Sequence, residues 1–197
     1  MISRRAVLIG GVAGIGVAGV LGCSAPPAPS PPRPAPPVTV PTQVRRLQQQ
    51  SAAVGGPVAM AIMTPTVPGP APLPVCLVLH GRWSNAEGMV ALGMPGFLDA
   101  AVAAGVRPFA LVAVDGPDSY WISRQQGVDP QAMLRDELPG WLTAAGLASP
   151  PRAVLGISMG GFGGLVYARS QRLSAAALLS PALFRTWDDA RRVDAFS

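Results

Sequence analysis

One serine of this chain lies in a pattern typical of a catalytic nucleophile. Ser158 belongs to the run Gly-Ile-Ser-Met-Gly-Gly at 156–161, which has the spacing glycine, any residue, serine, any residue, glycine. In that pattern the serine occupies a tight turn between a strand and a helix, and the glycines leave room for neighbouring backbone. The first amides of the following helix then point toward a developing oxyanion. We predict that Ser158 is the nucleophile and that the Met159 amide is one oxyanion donor.

A second chemical signal is the pair His80-Gly81, which directly follows a run of five apolar residues. A loop at this position can bring another backbone amide to a substrate carbonyl, and we assign that role to the amide of Arg82. His80 is the only histidine of the chain. We expect its side chain to shape the loop, and service as a general base is an alternative that rests on proximity alone.

These motifs need a sheet to position them, and the sequence predicts one. Five short apolar runs without polar alternation are typical of strands that are buried on both faces of a parallel sheet. They are 58–63, 75–79, 109–114, 153–157 and 175–179. Three further stretches are predicted to be helical, at 97–104, 131–145 and 160–170. Pro139 lies inside the second of them and predicts a kink there. The alternation predicts an α/β fold with a mostly parallel sheet flanked by helices, and a site at the carboxyl ends of the strands.

The first 23 residues have the pattern of an export signal. Arg4 and Arg5 precede an apolar run over 6–22, and Cys23 follows it. The run is shorter than the roughly 20 apolar residues of a membrane-spanning helix, so a retained anchor is a secondary interpretation. The arginine pair resembles a twin-arginine signal, and Val-Leu-Gly-Cys resembles a lipobox, which predicts lipidation at Cys23 and attachment to a membrane face. Secretion without the lipid is the alternative.

A linker separates this signal from the folded part of the chain. Residues 24–41 are predicted to form it, since 9 of the 17 residues at 25–41 are proline and such a segment is a stiff, extended spacer. Residues 42–197 then remain as a single domain, which is enough chain to bury one core.

Composition excludes several classes of function. All 15 basic residues are arginine and they are scattered, so we expect no nucleic-acid surface. Two cysteines and one histidine exclude a disulfide framework and a cysteine-built zinc site. We expect no cofactor and no metal, and the sequence is silent on oligomeric state.

Several segments together carry a resemblance to a known family. They are Leu-His-Gly at 79–81, Val-Asp-Gly-Pro-Asp-Ser-Tyr-Trp at 114–121, Met-Leu-Arg-Asp-Glu-Leu at 133–138, Gly-Ile-Ser-Met-Gly-Gly at 156–161 and Ser-Pro-Ala-Leu-Phe at 180–184. With them the chain resembles the α/β-hydrolase esterases of the antigen 85 and S-formylglutathione hydrolase type. The resemblance implies that Ser158 attacks the carbonyl of a small-molecule or lipid ester or thioester, while the amides of Met159 and Arg82 hold the oxyanion. It further implies a substrate-binding group made of His80, Gly81, Tyr120 and Trp121, although the two aromatic residues could instead cap the core.

The chain departs from this family in its catalytic general base. The family's triad runs serine, acid, histidine in chain order, yet no histidine follows Ser158. The predicted strands also end two short of the family's sheet. Three explanations compete: the sequence lacks its C-terminal catalytic part, the protein is a non-catalytic surface lipoprotein with an open cleft, or His80 is the base. We expect the first, and therefore a partial α/β-hydrolase domain over 42–197 with little or no esterase activity. A mycolyltransferase-like acyltransferase of the same fold is a further alternative.

Overall fold

A mixed six-stranded sheet organises the part of the chain that the computed structural model describes, residues 41–123, 127–193 and 196. The predicted export signal, Cys23 and nearly all of the linker lie outside these residues. The strands are β1 (Thr42–Ser51), β2 (Gly56–Pro65), β3 (Val75–Leu79), β4 (Ala110–Val114), β5 (Ala153–Ile157) and β6 (Ala175–Leu179). Their order across the sheet is β1-β2-β4-β3-β5-β6. β3 to β6 are mutually parallel, whereas β1 and β2 form an antiparallel hairpin and β2 also pairs antiparallel with β4.

Helices cover both faces of this sheet. They are α1 (Ala86–Ala91), α2 (Met94–Ala103), α3 (Pro130–Ala132), α4 (Leu138–Ala144), α5 (Met159–Ser170) and α6 (Trp187–Arg191). A π-helical turn, Met133–Glu137, joins α3 to α4. Pro139 lies at the start of α4, and the widened turn before it accommodates a residue that has no N–H to donate and whose ring would crowd the preceding turn. The helix predicted over 131–145 is thus interrupted by the π-helical turn before Pro139, and the kink predicted there stays a prediction.

Two apolar clusters form the core, one on each face of the sheet. Alternate residues of a strand point to opposite faces, so Leu77 packs toward the π-helical turn, α4 and α5 while Val78 packs toward α1 and α2. Cys76 lies in the second cluster, and burial raises the pKa of its thiol to about 12. Complete burial of a side chain such as Leu77 or Val78 stabilises the folded state by about 1.5–3 kcal/mol.

The predicted strands and helices are all present, with small shifts at their ends. The expectation that the run at 58–63 belongs to the parallel set is wrong. This run lies in β2, which pairs antiparallel with β4. Its residues are apolar without alternation because β2 is also covered on both faces: Met60 and Ile62 contact one cluster, and Ala61 and Met63 the other. The sequence did not lead us to predict β1, α1 or α6.

The last strand of the sheet differs from the others in its burial. Every residue of β6 is exposed except Leu178, which is half-buried.

No helix within the described ranges combines the length and the apolar character that crossing a bilayer requires.

Candidate active site

Ser158 forms the turn between β5 and α5. Its backbone lies in the left-handed region, at φ 53° and ψ −114°, and the residue is exposed to solvent. A non-glycine residue in such a conformation costs roughly 1–3 kcal/mol and persists only where its surroundings enforce it. Here the Ser158 N–H donates to the Leu179 carbonyl at 3.0 Å, and the Ser158 carbonyl accepts from the N–H groups of Phe162 at 3.1 Å and Ala182 at 3.0 Å. The turn is therefore held from both sides.

Two glycines let the start of α5 press against the sheet beside this turn. A Cβ at Gly156 would lie 2.1 Å from the Gly160 carbonyl oxygen, and a Cβ at Gly160 would lie 2.0 Å from the Leu79 carbonyl oxygen. Both neighbours are backbone atoms, so only glycine fits either position. As a result the amide of Met159 opens a helix of 12 residues whose positive end lies beside the serine.

The loop after β3 passes directly beside Ser158. A Cβ at Gly81 would lie 3.6 Å from Ser158 Cβ and 3.3 Å from the Ile157 carbonyl oxygen. Gly81 therefore borders the serine, and the Arg82 amide follows it directly in the chain. That the amides of Arg82 and Met159 bind an oxyanion stays a prediction.

Backbone strain is concentrated at this end of the sheet. Within the described ranges, every non-glycine residue with positive φ follows one of the parallel strands. They are Trp83 after β3, Tyr120 and Trp121 after β4, Ser158 after β5 and Ser180 after β6. Strained residues cluster at functional sites, and the carboxyl ends of parallel strands are where ligands bind in such sheets. The strain is thus concentrated at the edge predicted to hold the site, and it includes Trp83 and Ser180, which were not among the predicted site residues.

His80 is a buried structural residue, with only 2% of its surface exposed. Its Nδ1–H donates to the Gly81 carbonyl at 2.8 Å, and its Nε2 accepts from the Gly116 N–H at 3.1 Å. Burial lowers the pKa of His80, although the Gly81 carbonyl and the carboxylates of Asp115 and Asp118 offset part of that effect. Because both ring nitrogens are engaged, the imidazole has no free position for the Ser158 proton. The alternative that made His80 the base is corrected on this ground.

Trp121 supports the loops after β3 and β4 from within the core. It is fully buried, its Nε1–H donates to the His80 carbonyl at 3.2 Å, and the two rings lie 5.1 Å apart. Its ring fills the space beside two glycines, since a Cβ would approach it to 2.5 Å from Gly116 and 2.4 Å from Gly163. Burial gives the side chains of Trp121 and His80 the role of positioning loops, and substrate contact by either stays a prediction.

Tyr120 begins a cluster of aromatic rings next to α5. The residue is 7% exposed, and its ring centroid lies 6.0 Å from Phe162, 6.0 Å from Phe184 and 5.0 Å from Phe196. Such edge and tilted contacts are favourable beyond the area they bury. The core-capping interpretation of Tyr120 is thus the one that its surroundings support, while a direct role at the substrate stays a prediction.

Charged groups tie the loops after β3 and β4 together. Arg82 Nε lies 2.9 Å from Asp118 Oδ2, and the Arg82 guanidinium lies 4.9 Å from the ring centroid of Trp83. Asp115 Oδ1 accepts from the Ala86 N–H at 2.6 Å, at the start of α1. Both aspartates therefore shape loops. Trp83 itself is 85% exposed.

No side chain among the described residues hydrogen-bonds to the Ser158 hydroxyl. Two acids that follow it in the chain serve α6 instead: Asp188 pairs with Arg191, and Asp189 accepts from the Thr186 N-cap hydroxyl and pairs with Arg192. Asp194 lies outside the described residues. In the described part of the chain, the serine predicted to be the nucleophile thus has no side chain in place to act as its base.

Comparisons with known proteins agree with this geometry. A family model with the description "Putative esterase" matches residues 51–191. A ferulic acid esterase superposes with a TM-score of 0.60 at 19% identity, covering 72% of this chain and 60% of that one. FphF, a fluorophosphonate-binding serine hydrolase of Staphylococcus aureus, gives 0.59 at 17% identity, with coverages of 72% and 58%. The S-formylglutathione hydrolase FrmB of Staphylococcus aureus gives 0.53 at 16% identity, with coverages of 68% and 57%.

At these identities the superpositions show the fold alone, which is that of the α/β-hydrolases. The chain spans about 60% of the length of the ferulic acid esterase structure that it matches. A search of the curated proteins finds no match. The family model nevertheless covers well over half of the chain and includes both the β3 loop and the serine turn, so the protein belongs to the Esterase family.

Proposed function

We propose that the protein is an exported serine hydrolase that acts on carboxylic esters or thioesters through an acyl-enzyme at Ser158. The observation that carries the proposal is the strained, exposed serine at the head of α5, with the Gly81 loop against its side. Membership of the Esterase family supports an ester as the substrate. The substrates would be small-molecule or lipid esters.

In the proposed reaction the Ser158 hydroxyl adds to the carbonyl carbon, and negative charge develops on the carbonyl oxygen. The amides of Met159 and Arg82 would receive that charge, and an oxyanion donor of this kind is worth about 2.7–4 kcal/mol in the transition state. Collapse of the intermediate expels the alcohol or thiol, which takes up the serine proton, and leaves the acyl group on the serine oxygen. Water then releases the acid, or an acceptor alcohol takes the acyl group if the protein is an acyltransferase.

The chain alone should hydrolyse its ester substrate slowly. The single imidazole is engaged in the fold, and loss of one triad member in a serine hydrolase reduces the rate by a factor on the order of 10⁴–10⁶. The oxyanion donors leave a residual acceleration. We therefore expect an activated ester to acylate Ser158 slowly and the acyl group to be released slowly as well.

Intact-mass measurement after incubation with p-nitrophenyl acetate tests this proposal. One acetyl adduct should accumulate, peptide mapping should place it at Ser158, and Ser158→Ala should abolish it. Ser149→Ala is the matched control, because Ser149 is exposed in the loop that precedes β5, at the opposite end of the sheet from Ser158. An adduct rate unchanged in Ser158→Ala would refute the assignment.

A non-catalytic lipoprotein is the second candidate, and the engagement of both His80 nitrogens favours it. In that case the same measurement gives no Ser158-dependent adduct. Export and lipidation at Cys23 belong to the proposal on the strength of the sequence pattern. Metabolic labelling with a fatty acid should mark the wild-type protein and not Cys23→Ser, and label on both would refute lipidation at that residue.

A further inference from the structure

Four arginines gather at the edge of the sheet where the parallel strands begin. Arg107 lies three residues before β4, Arg152 directly precedes β5, and Arg172 lies three residues before β6. Arg169 lies in the last turn of α5, which leads back to this edge. These arginines are scattered in the sequence, but the parallel arrangement of β3 to β6 brings them to one end of the fold. We call this group of four the basic end.

Backbone contacts place the loops of the basic end side by side. The Arg152 N–H donates to the Val75 carbonyl at 2.9 Å, and the Arg152 carbonyl accepts from the Ser174 N–H at 2.7 Å. The strand order along this edge is β4-β3-β5-β6. Since neighbouring strands lie about 4.8 Å apart, the loops that carry arginines are about 5 and 10 Å apart along the edge. These spacings are comparable with the Debye length of about 8–10 Å, so the positive potentials add.

The basic end has no acidic partner within the described ranges. All four arginines are exposed, and none forms an ion pair or a side-chain hydrogen bond with a described residue. Residues 100–114 and 138–187 contain no aspartate or glutamate. Asp99 of α2 accepts from the Thr42 hydroxyl at 2.6 Å on the β1 side of the sheet, and Asp115 follows β4 at the opposite end. The four guanidinium groups therefore form a positive surface.

The chain enters the described fold at this same end. Thr42, the first residue of β1, pairs with Pro65, the last residue of β2. β2 runs antiparallel to β4, with Met63 opposite Leu111, so Pro65 lies beyond the start of β4. Thr42 therefore lies at the edge where the parallel strands begin. In the sequence it is joined by the predicted linker to Cys23, the predicted site of lipidation.

We propose that the basic end is the surface through which the protein rests on an anionic lipid bilayer. Arginines near such a surface are attracted by its negative potential. One acyl chain gives only marginal binding, and a basic cluster is the second signal that stable anchoring requires. The only aromatic residue in the loops of the basic end is Phe109, which is half-buried, so they offer no platform for nucleic-acid bases. The choice of a bilayer rests on the lipidation proposed above, whereas the positive surface does not.

This orientation has a consequence for the substrate. The parallel strands have five residues each. At about 3.3 Å per residue, Ser158 lies about 17 Å from the basic end, at the opposite edge of the sheet. The serine would therefore face away from the supporting bilayer, and its ester would arrive from the aqueous side.

Vesicle sedimentation tests the role of the four arginines. Every variant carries Cys23→Ser, so the measurement does not depend on lipidation, and residues 1–41 are otherwise unchanged. The chain should bind mixed phosphatidylglycerol–phosphatidylcholine vesicles more tightly than pure phosphatidylcholine vesicles. Each arginine of the basic end that is replaced by glutamine should lower the affinity for the anionic vesicles by about fivefold. High salt should have the same effect, because it screens the charges.

A matched control removes the same number of positive charges elsewhere. It combines Arg46→Gln, Arg185→Gln, Arg191→Gln and Arg192→Gln, none of which lies in the loops of the basic end. This variant should keep most of the affinity for anionic vesicles, whereas replacement of all four arginines of the basic end should abolish the preference for them. Thermal unfolding of each variant confirms that it is folded.

Fluorescence quenching tests the orientation. A fluorophore is attached at Ser174→Cys, in the loop before β6, or at Ser180→Cys, directly after β6. Cys76 stays unlabelled at neutral pH, because it is buried and burial raises the pKa of its thiol to about 12. Nitroxide-labelled lipid headgroups should quench the fluorophore at position 174 and not the one at position 180. Equal quenching at both positions would refute the orientation.

Three results would overturn the bilayer surface itself. The first is equal affinity for anionic and neutral vesicles, and the second is an equal loss of affinity in the control variant, which would reduce the effect to net charge. The third is tighter binding to a short DNA duplex than to vesicles with the same dependence on the four arginines, which would assign the surface to nucleic acid. Absence of the fatty-acid label at Cys23 with the arginine dependence intact would refute lipidation alone.

Discussion

Adding one methyl group at Gly160 should damage both the fold and the nucleophile. An alanine Cβ there would lie 2.0 Å from the Leu79 carbonyl oxygen and 2.6 Å from that of His80. The first distance is at least 1.4 Å shorter than an ordinary contact of 3.4 Å, and both neighbours are backbone atoms that cannot rotate away. Relief therefore requires α5 to move away from β3. We expect a loss of about 3 kcal/mol in the free energy of unfolding, at the upper end of the range for overpacked positions.

Urea unfolding and thermal unfolding measure this loss. For a domain of this size, about 3 kcal/mol corresponds to a decrease of about 6–12 °C in Tm. The same movement displaces Ser158 and the Met159 amide, and a misplacement of about 1 Å can cost about 10²-fold in rate. The rate of acetyl adduct formation at Ser158 should thus fall by about that factor at a temperature where the variant is folded.

Gly140→Ala is the matched control for the same chemical change. Gly140 lies inside α4, and a Cβ there would have no atom within 4 Å. Alanine should stabilise the protein by about 0.5–1 kcal/mol, because it lowers the entropy of the unfolded chain and favours the helix. If Gly160→Ala unfolded like the wild type and formed the adduct at the same rate, the close packing of α5 on β3 would be refuted.

The other predictions concern acid stability, the missing base and the turn of the β1–β2 hairpin. Since burial places the folded-state pKa of His80 below its ordinary value of 6.5, the unfolded state binds the extra proton, and stability should fall as the pH drops below about 6.5. The slope is at most about 1.4 kcal/mol per pH unit, and urea unfolding of His80→Gln should lack this contribution. Free imidazole in solution should accelerate p-nitrophenyl acetate hydrolysis by the wild type beyond its effect on Ser158→Ala, and equal acceleration would argue against an open base position. Glu137→Ala should cost about 1.5–3 kcal/mol in urea unfolding, because Glu137 accepts from the Ser51 hydroxyl at 2.5 Å and from the N–H groups of Ala52 and Ala53 at 2.9 and 3.0 Å; a loss within error of zero would contradict that role.

The elements that sequence analysis found are those with a purely local signal. The runs at β3, β5 and β6 are predicted to the residue, because an unbroken apolar run is the local signal of a strand in a parallel sheet. β1 was missed for the opposite reason. It reads Thr-Gln-Val-Arg-Arg-Leu-Gln-Gln-Gln-Ser, and it becomes a strand by pairing along its whole length with β2 at the edge of the sheet. Pairing partners of that kind cannot be read from the segment itself.

By itself, the sequence determined that Ser158 would occupy a strained turn between a strand and a helix, because the glycines two residues away on either side dictate that local geometry. It also showed that residues 159–197 contain no histidine. Only the tertiary structure decided what the remaining histidine does. Whether an imidazole is free depends on its surroundings, and the group that occupies His80 Nε2 is the N–H of Gly116, 36 residues away in the chain. The exposure of β6 is likewise a property of the assembled sheet, since five apolar residues read the same whether a neighbour covers them or not.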